Sequence, residues 1–146
     1  MDEKDEKILK LLRENSKLTS QQVSKKILMP ITTVHNRVKK LEKEGIIKKY
    51  TLELDNKKVG KAIAAYVQII VDYKVLKEKK MPQHELAMKL KQHESVEEAA
   101  MVTGGTDILI KVRVKNVDEL DNFITKYLRN IDGIEKTQTM VILNEI

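Results

Sequence analysis

Apolar residues in the first third of the chain recur at helical spacing in three short segments. In the first segment, Asp2 can cap a helix whose apolar face consists of Ile8, Leu9 and Leu12. The second segment begins at Thr19, which forms a capping box with Gln22, and its helix is short. A third helix is predicted over 31–44, because Gly45 favours a helix end there. Three helices with a turn of about three residues between the last two predict a helix-turn-helix unit.

Two segments of different amino-acid composition follow the third helix. Residues 46–54 are rich in β-branched and aromatic side chains and partly alternate, so we predict a strand. Residues 55–61 are polar and contain Gly60, which predicts a hinge. The chain therefore divides into a basic helical part and a second part beyond the hinge.

The second part alternates between β-rich segments and two helical ones. We predict a strand over 62–73, a charged connection over 74–81, a helix over 82–94, strands over 96–103 and 107–115 joined by a turn, a helix from 116 that ends at Asp132-Gly133, and a strand over 134–143. This β-α-β-β-α-β order predicts a ferredoxin-like fold, with both helices on one face of an antiparallel four-stranded sheet. The predicted class is α+β, with a helix-turn-helix domain over 1–54, a hinge over 55–61 and a ferredoxin-like domain over 62–146.

One face of the predicted sheet has no helix to cover it. The strand over 107–115 alternates cleanly: Ile108, Ile110, Val112 and Val114 lie on one face, and Lys111, Arg113 and Lys115 on the other. The strand over 62–73 is apolar on both faces. An apolar open face needs a cover, and a second copy of the same sheet is the simplest one. We therefore predict a homodimer.

A helical wheel separates an apolar side of the third helix from a polar side. The apolar side, predicted to pack on the first two helices, consists of Ile31, Val34, Val38 and Leu41. The opposite side has short polar side chains near its N-terminal end and lysines after them. The N-terminal residues of a recognition helix reach base edges in the major groove, so this order favours DNA reading. The predicted DNA-binding residues are Thr32, Thr33, His35, Asn36, Arg37, Lys39, Lys40 and Lys43.

These residues have different expected roles on double-stranded DNA. Asn36 can pair with adenine, and Thr32 or Thr33 can contact a thymine methyl group. The lysines would meet phosphates, and the basic rim is extended by Lys25, Lys26, Lys48 and Lys49. Arg37 lies toward the core flank, which leaves a structural role open for it. A polar helix face that is merely solvated is the alternative to all these roles.

Basic residues are concentrated in the N-terminal part. Residues 1–61 carry 16 Lys/Arg and 9 Asp/Glu, a net charge of +7, whereas residues 62–146 carry 12 and 13, a net charge of −1. Such asymmetry is typical of a chain in which one half meets a polyanion. A lysine-rich solvated surface is the alternative, and charge alone does not decide between them.

Catalytic and metal sites lack the residues they need. The chain has no cysteine, which excludes disulfides, thiolate metal sites and thiolate nucleophiles. His35, His84 and His93 lack ligand spacing, and no phosphate-binding loop, nucleophile motif or clustered carboxylate pair is present. We therefore predict that the protein is not an enzyme and has neither a metal nor a cofactor.

The hydrophobic pattern also predicts neither a membrane span nor a secretory signal. No apolar run reaches the roughly 18–20 residues that a bilayer span needs. The charged first residues have no apolar core of the kind found in secretory signals. We expect a cytoplasmic protein with no membrane partner.

Each part of the chain contains a block of characteristic motifs. The first block is Asp2-x-x-Asp5-x-x-Ile8-Leu9-x-x-Leu12, Leu18-Thr19 and Thr33-Val34-His35-Asn36-Arg37-Val38-Lys39-Lys40-Leu41-Glu42-x-x-Gly45-Ile46-Ile47. The second block is Val102-Thr103-Gly104-x-x-Asp107-x-x-Ile110-x-Val112 and Ile131-Asp132-Gly133-Ile134-x-x-Thr137-x-Thr139. In their order and spacing, over nearly the whole chain, these blocks resemble the leucine-responsive regulatory protein/AsnC (feast/famine) family of transcription regulators. The resemblance implies a winged-helix-like (winged or strand-extended) helix-turn-helix domain followed by a ferredoxin-like domain.

The resemblance implies a regulator whose second domain dimerises and assembles further. In the family, amino acids or related metabolites bind where dimers meet, near a Gly-x-x-Asp loop. Carried over to this chain, the effector loop consists of Gly104, Gly105, Thr106 and Asp107. An Asp107 carboxylate there could hold an α-ammonium group. A transcription regulator can also contact the transcription machinery, and the resemblance leaves this partner open for the present chain.

Two departures from the family pattern affect these expectations. Leu28 and Pro30 stand where the family usually has a turn glycine and a capping serine, so we expect a reshaped or rigidified turn. Gly105 and Thr106 replace the acidic or amide residue and the aromatic residue that are common in the effector loop. A metabolite-binding or protein-interaction module without specific DNA binding is the alternative function, and the small basic domain argues against it.

Overall fold

Three helices form the N-terminal part of the protein: α1 (Glu3–Glu14), α2 (Ser20–Ile27) and α3 (Ile31–Lys43). A computed structural model describes residues 1–146, which divide into two compact units, Met1–Glu53 and Leu54–Ile146. Both predicted helix starts are confirmed. The side chains of Asp2 and Thr19 accept hydrogen bonds from backbone N–H groups three residues later, and each closes a reciprocal capping box. The sequence thus fixes where α1 and α2 begin.

The three helices enclose a small apolar core. Its buried members are Ile8, Val23, Val34 and Leu41, with one or two from each helix. The predicted apolar face of α3 is confirmed for Val34, Val38 and Leu41 but is wrong for Ile31, which is 48% exposed. A helical wheel places residues around an axis and not along it. Ile31 is the first residue of α3 and lies almost one turn beyond the buried Val34.

The turn between α2 and α3 begins with a left-handed residue. Leu28 has φ 52° and ψ 50°, and its N–H donates to the carbonyl oxygen of Ser24. Leu28 takes the left-handed conformation that glycine adopts without strain, and the expectation of a reshaped or rigidified turn stays a prediction. For a leucine that conformation costs roughly 1–2 kcal/mol. Its side chain packs on nothing to offset the cost, since it is 91% exposed.

An ion-pair cluster joins the start of α1 to the middle of α3. The Arg37 Nη1 group lies 2.8 Å from carboxylate oxygens of both Asp2 and Asp5. The hydrogen bond from Arg37 is the main cause that lowers the pKa of Asp2 to about 2. The pKa of Asp5 is also lowered, first by the backbone N–H of Asp2 and then by Arg37. This cluster, which we call the Arg37 clamp, sets the position of α1 against α3.

The predicted strand over 46–54 is wrong. These residues form no strand, and Leu52 and Leu54 are exposed. A strand needs a second strand to pair with its backbone, and the rest of the N-terminal unit is helical. The segment is attached instead by the Ile46 and Ile47 N–H groups, which both donate to the Leu41 carbonyl oxygen.

The C-terminal unit contains four antiparallel strands in the order β2-β3-β1-β4. Its elements are β1 (Ile63–Val71), α4 (Tyr73–Glu78), α5 (Gln83–Lys91), β2 (Val96–Met101), β3 (Ile108–Val114), α6 (Val117–Asn122), a π turn (Phe123–Tyr127), a 3-10 turn (Leu128–Asn130) and β4 (Ile134–Val141). This is the expected ferredoxin-like topology. The helix predicted from 116 to Asp132-Gly133 is a regular α-helix only in its first six residues, which form α6. The chain then continues as the wider π turn and the tighter 3-10 turn.

The short helix α4 was not predicted, since its residues were assigned to a charged connection. The Asp72 carboxylate caps it by accepting from the N–H groups of Lys74 and Val75. Leu76 is buried beside Gly133, which has φ 93° and whose missing Cβ would lie 2.5 Å from a Leu76 methyl group. A side chain at position 133 would therefore require Leu76 to shift.

The two faces of the sheet differ as predicted. The inward face of β3 is confirmed: Ile108, Ile110, Val112 and Val114 are all buried in one core with residues of α5 and α6. On the outer face, Arg113 is only 5% exposed. Its guanidinium binds the carboxylates of Glu97 and Glu145. Two carboxylates therefore neutralise the buried charge.

We expect Leu28→Gly to stabilise the N-terminal unit. The variant removes the left-handed strain, although glycine also loses more backbone entropy on folding, and a net gain of about 0.5–1 kcal/mol results. Thermal unfolding followed by circular dichroism should show a midpoint about 3–5 °C higher for this unit.

Lys80→Gly is the matched control for the backbone effect. Lys80 has φ 51° and lies in the other unit, so the same substitution should stabilise that unit alone. A midpoint that stays unchanged or falls in Leu28→Gly would show that the Leu28 side chain stabilises the turn.

We expect Arg37→Gln to lower the unfolding midpoint of the N-terminal unit in a pH-dependent way. The folded pKa of Asp2, about 2, and that of Asp5 are below the unfolded values near 4. The stabilisation from the Arg37 clamp is therefore complete above about pH 4 and disappears as pH falls toward about 2. Thermal scans between pH 7 and pH 2 should show wild type and variant converging. Arg13→Gln, which removes an exposed charge outside any ion pair, should not reproduce this, and a difference that stays constant with pH would contradict the assignment.

Candidate functional site

The packing of α3 decides which of its side chains face outward. Val34 and Leu41 are buried against α1 and α2, so the opposite side of the helix cannot contact the core of the unit. Side chains on that side are exposed along most of the helix. They are Thr32, His35, Asn36, Lys39, Lys40 and Lys43, while Thr33 is half-buried at the edge.

The predicted DNA-binding residues fall into two groups in the structure. Seven of them lie on or beside the outward side of α3, as just described. Arg37 does not, because its guanidinium is held by Asp2 and Asp5 in the Arg37 clamp. These bonds give Arg37 a structural role, and its contact with DNA stays a prediction. The wheel position toward the core flank was the feature of the sequence that pointed to this role.

The outward face of α3 is polar and basic over its first eleven residues. No acidic residue occurs between Ile31 and Leu41. Beyond them, Glu42 accepts a hydrogen bond of 2.7 Å from the Tyr50 hydroxyl, and Glu44 lies 3.8 Å from Lys40. Burial and Glu42 together raise the pKa of Tyr50 to about 12. The two acids at the end of α3 are thus partly occupied by neighbours in the same unit.

A set of lysines surrounds this face without internal partners. Lys39 and Lys43 on α3 form no ion pair within the chain, nor do the lysines of the predicted basic rim, Lys25, Lys26, Lys48 and Lys49. All six are exposed. Free ammonium groups around a polar helix face fit the phosphates of a duplex.

Two exposed apolar residues near this face were not predicted. Leu28 in the turn and Ile31 at the start of α3 are 91% and 48% exposed. Their neighbours Ile27 and Met29 pack against the core of the unit, so within 27–31 two apolar side chains point inward and two point to solvent. The place of Leu28 at a turn position that favours glycine was the one indication in the sequence that its side chain would point away from the core.

The predicted effector loop lies between β2 and β3. Gly104 has φ 104°, which only glycine adopts without strain, and Gly105 has open space where a Cβ would stand. Asp107 follows Thr106, and one of its carboxylate oxygens accepts from the Val71 N–H at 2.9 Å. The other accepts from the Tyr73 hydroxyl at 2.9 Å, a bond that raises the pKa of Tyr73. These two hydrogen bonds thus fix the orientation of the Asp107 carboxylate at the end of the loop.

Gln83 completes the support of this loop. Its side-chain amide donates to the Asp107 carbonyl oxygen at 2.9 Å, and its Oε1 lies 3.2 Å from the Tyr73 hydroxyl, whose one proton it shares with the nearer Asp107 carboxylate. Tyr73 opens α4 and Gln83 opens α5, so two helix starts hold one loop residue. Neither residue could be identified from the sequence, because both are more than 20 positions from Asp107.

Other kinds of site are not formed. No group of three His, Asp or Glu side chains lies close enough to hold a metal ion. No helix is long and apolar enough to span a bilayer. The surface around α3 and the loop at Asp107 are the two sites that the sequence predicted.

Both units match known protein families. Residues 64–146 match the model of the Lrp/AsnC ligand binding domain, and residues 1–48 match that of a winged helix-turn-helix DNA-binding domain. The HTH-type transcriptional regulator FL11 of Pyrococcus horikoshii is 33% identical over 143 residues, which cover 98% of this chain and 89% of the relative. An uncharacterized HTH-type transcriptional regulator of Pyrococcus furiosus is 36% identical, with 97% and 91% covered.

Solved structures of similar proteins extend over the full chain. A transcriptional regulator of Neisseria meningitidis in complex with L-Met is 25% identical with a TM-score of 0.89, covering 100% of this chain and 92% of that one. Escherichia coli AsnC is 27% identical with a TM-score of 0.82, covering 99% and 93%. Bacillus subtilis LrpC is also 27% identical, with a TM-score of 0.83 and coverage of 100% and 96%. With its two units matched in order by family models, relatives and structures, this chain belongs to the Lrp/AsnC family of transcriptional regulators.

Proposed function

We propose that this regulator binds promoter DNA sequence-specifically as a homodimer, through the outward face of α3, and that an amino acid modulates its assembly. The chain is a transcriptional regulator with a helix-turn-helix DNA-binding domain and an Lrp/AsnC ligand-binding domain. The outward face of α3 carries the proposal. Its first eleven residues present polar and basic side chains without one acid, inside a rim of unpaired lysines.

The side chains of this face suit distinct parts of a duplex. Asn36 has an amide that can both donate to and accept from adenine in the major groove. Thr32 and Thr33 can bond a base edge or contact a thymine methyl group, and His35 lies beside them. Lys39, Lys40 and Lys43 would hold the phosphates and fix the register of the helix. We propose these residues as the DNA-binding set.

A second copy of the chain fits the outer face of the sheet. That face carries Tyr66, Ile70 and Leu109, which are only half-buried, and Met140, which is 40% exposed. A homodimer through this face would present two copies of α3. To enter successive major grooves on one side of a duplex, the two helices must lie about 34 Å apart or a multiple of that distance. Residues 55–61, proposed as the hinge, would set this separation.

The loop from Gly104 to Asp107 is the proposed effector site. Each Asp107 carboxylate oxygen already accepts one hydrogen bond and can accept another, so the group can hold an α-ammonium while keeping its orientation. The Neisseria regulator with a similar fold was solved with L-Met, which makes an amino acid the first class to test. Such a regulator would work in the cytoplasm, beside the transcription machinery, with no need for catalysis, a metal or another cofactor.

Selection of bound sites from random DNA tests the central proposal. Sites chosen by a dimer should share a palindrome, and mobility-shift assays at two salt concentrations should show tighter binding to that palindrome than to random duplex. Equal affinity for selected and random DNA at both salt concentrations would contradict it. The chain would then be a ligand-binding or protein-interaction module.

Asn36→Ala and Lys43→Ala should weaken binding in different ways. Asn36→Ala should cost about 1–3 kcal/mol on the selected site and relax the preference at one base pair. Lys43→Ala should weaken selected and random DNA alike and reduce the slope of log K against log salt by about 1. Shift assays on both duplexes across a salt series measure both effects. The same loss profile for the two variants would contradict the division of roles along α3.

Asp107→Asn should abolish the response of the assembly to its effector. Sedimentation velocity with each of the common amino acids, L-Met included, should identify one that changes the oligomer distribution of the wild type. In the variant that change should disappear, because the neutral amide no longer pairs with an ammonium group. Asp132→Asn, an exposed substitution outside the loop, should keep the response. An unchanged distribution with every amino acid would contradict effector binding.

A further inference from the structure

Two apolar side chains lie outside the core at the tip of the helix-turn-helix. Leu28 is 91% exposed and Ile31 is 48% exposed, although Ile27, Met29 and Val34 around them pack inward. Single exposed apolar residues are common on protein surfaces. These two are three positions apart, on the turn and the first residue of α3.

Leu28 is also strained. Its backbone has φ 52° and ψ 50°, the left-handed region in which a leucine clashes with its own chain and a glycine does not. Glycine would remove both this strain and the exposed apolar surface. Folding alone therefore gives no reason for a leucine, and strain that folding does not explain is most often found where the residue contacts a ligand.

The surroundings of the two residues identify the ligand. They stand at the N-terminal end of α3, the end that enters the major groove in a helix-turn-helix protein. Exposed ammonium groups lie on both sides of them along the chain. Lys25 and Lys26 come before them at the end of α2, and Lys39 comes after them on α3. Two apolar side chains between basic ones fit a DNA duplex, which has phosphates along its backbones and apolar groups in its major groove. On the base edges of the major groove the only such group is the C5 methyl of thymine.

We propose that Leu28 and Ile31 contact thymine methyl groups and so select thymine where the start of α3 meets the operator. The inference rests on the proposed DNA-binding function and adds two specificity residues to it. Thr32 and Thr33 can contact methyl groups as well, but they can also donate hydrogen bonds. Leu28 and Ile31 have only apolar contact to offer, so their effect depends entirely on the methyl group.

Replacement of thymine by deoxyuridine in the selected operator isolates this contact. The exchange deletes the methyl group and leaves every hydrogen-bonding group of the base pair in place. For the wild type, deoxyuridine at one or two positions in each half-site should weaken binding about threefold to fivefold per methyl, as expected for loss of one buried carbon. A loss at a thymine contacted by Thr32 or Thr33 would persist in variants at positions 28 and 31, and exchange at thymines outside all these contacts should have no effect.

Leu28→Gly and Ile31→Ser should lose this sensitivity. Each variant should bind the thymine operator about as weakly as the wild type binds the deoxyuridine operator, and should show no further loss on deoxyuridine at its own position. A twofold-or-smaller residual effect there would count as lost. Because Leu28→Gly is expected to fold more stably than the wild type, weaker binding by it cannot come from unfolding.

Lys80→Gly is the matched control, since it changes another left-handed residue in the other unit. It should respond to deoxyuridine like the wild type. If the wild type binds its operator specifically but Leu28→Gly and Ile31→Ser keep its full methyl sensitivity, the inference is overturned while the proposed function stands, and the two residues face a protein partner or solvent. Failure to select any operator would overturn both.

Discussion

The burial of Val34 and Leu41 against α1 and α2 determines what the helix-turn-helix can present to a ligand. Because α3 is a continuous helix of 13 residues, fixing the direction of these two side chains fixes the direction of all the others. The core that does this is small, with only four fully packed side chains. The Arg37 clamp adds a second attachment at the start of α1. The proposed recognition by α3 would therefore depend on a few contacts on the side of the helix that faces the core.

The parts of the fold that could be predicted from the sequence are those with local causes. The capping boxes at Asp2 and Thr19 and the alternation along β3 each depend on residues a few positions apart, and all three are confirmed. Residues 46–54 have strand-like composition, but pairing needs a partner that the composition cannot supply. The helix α4 was missed because the cap at Asp72 is followed by a lysine-rich segment that resembles a loop. The burial of Arg113 depends on Glu145, 32 residues away.

Sequence reasoning was more successful for the outward residues of α3 than for their surroundings. A helical wheel finds the face that carries Asn36 and the lysines, because the period of the helix is fixed. It cannot find that Arg37 bonds to residues 32 and 35 positions earlier, nor that Ile31 lies past the end of the core. The loop at Asp107 was located by family resemblance alone. Its support by Tyr73 and Gln83 depends on how α4 and α5 begin, which only the three-dimensional structure reveals.

The buried guanidinium of Arg113 has a consequence for how the regulator would respond to ionic strength. Arg113 and Lys111 lie on the outer face of the sheet and are neutralised within their own chain by Glu97 and Glu145. A second copy covering that face need not supply countercharge, so the contact between subunits would be governed by apolar area, which salt hardly weakens. The lysines around α3 have no such internal partners. Raising the salt concentration should thus strip the regulator from DNA while leaving its subunits together.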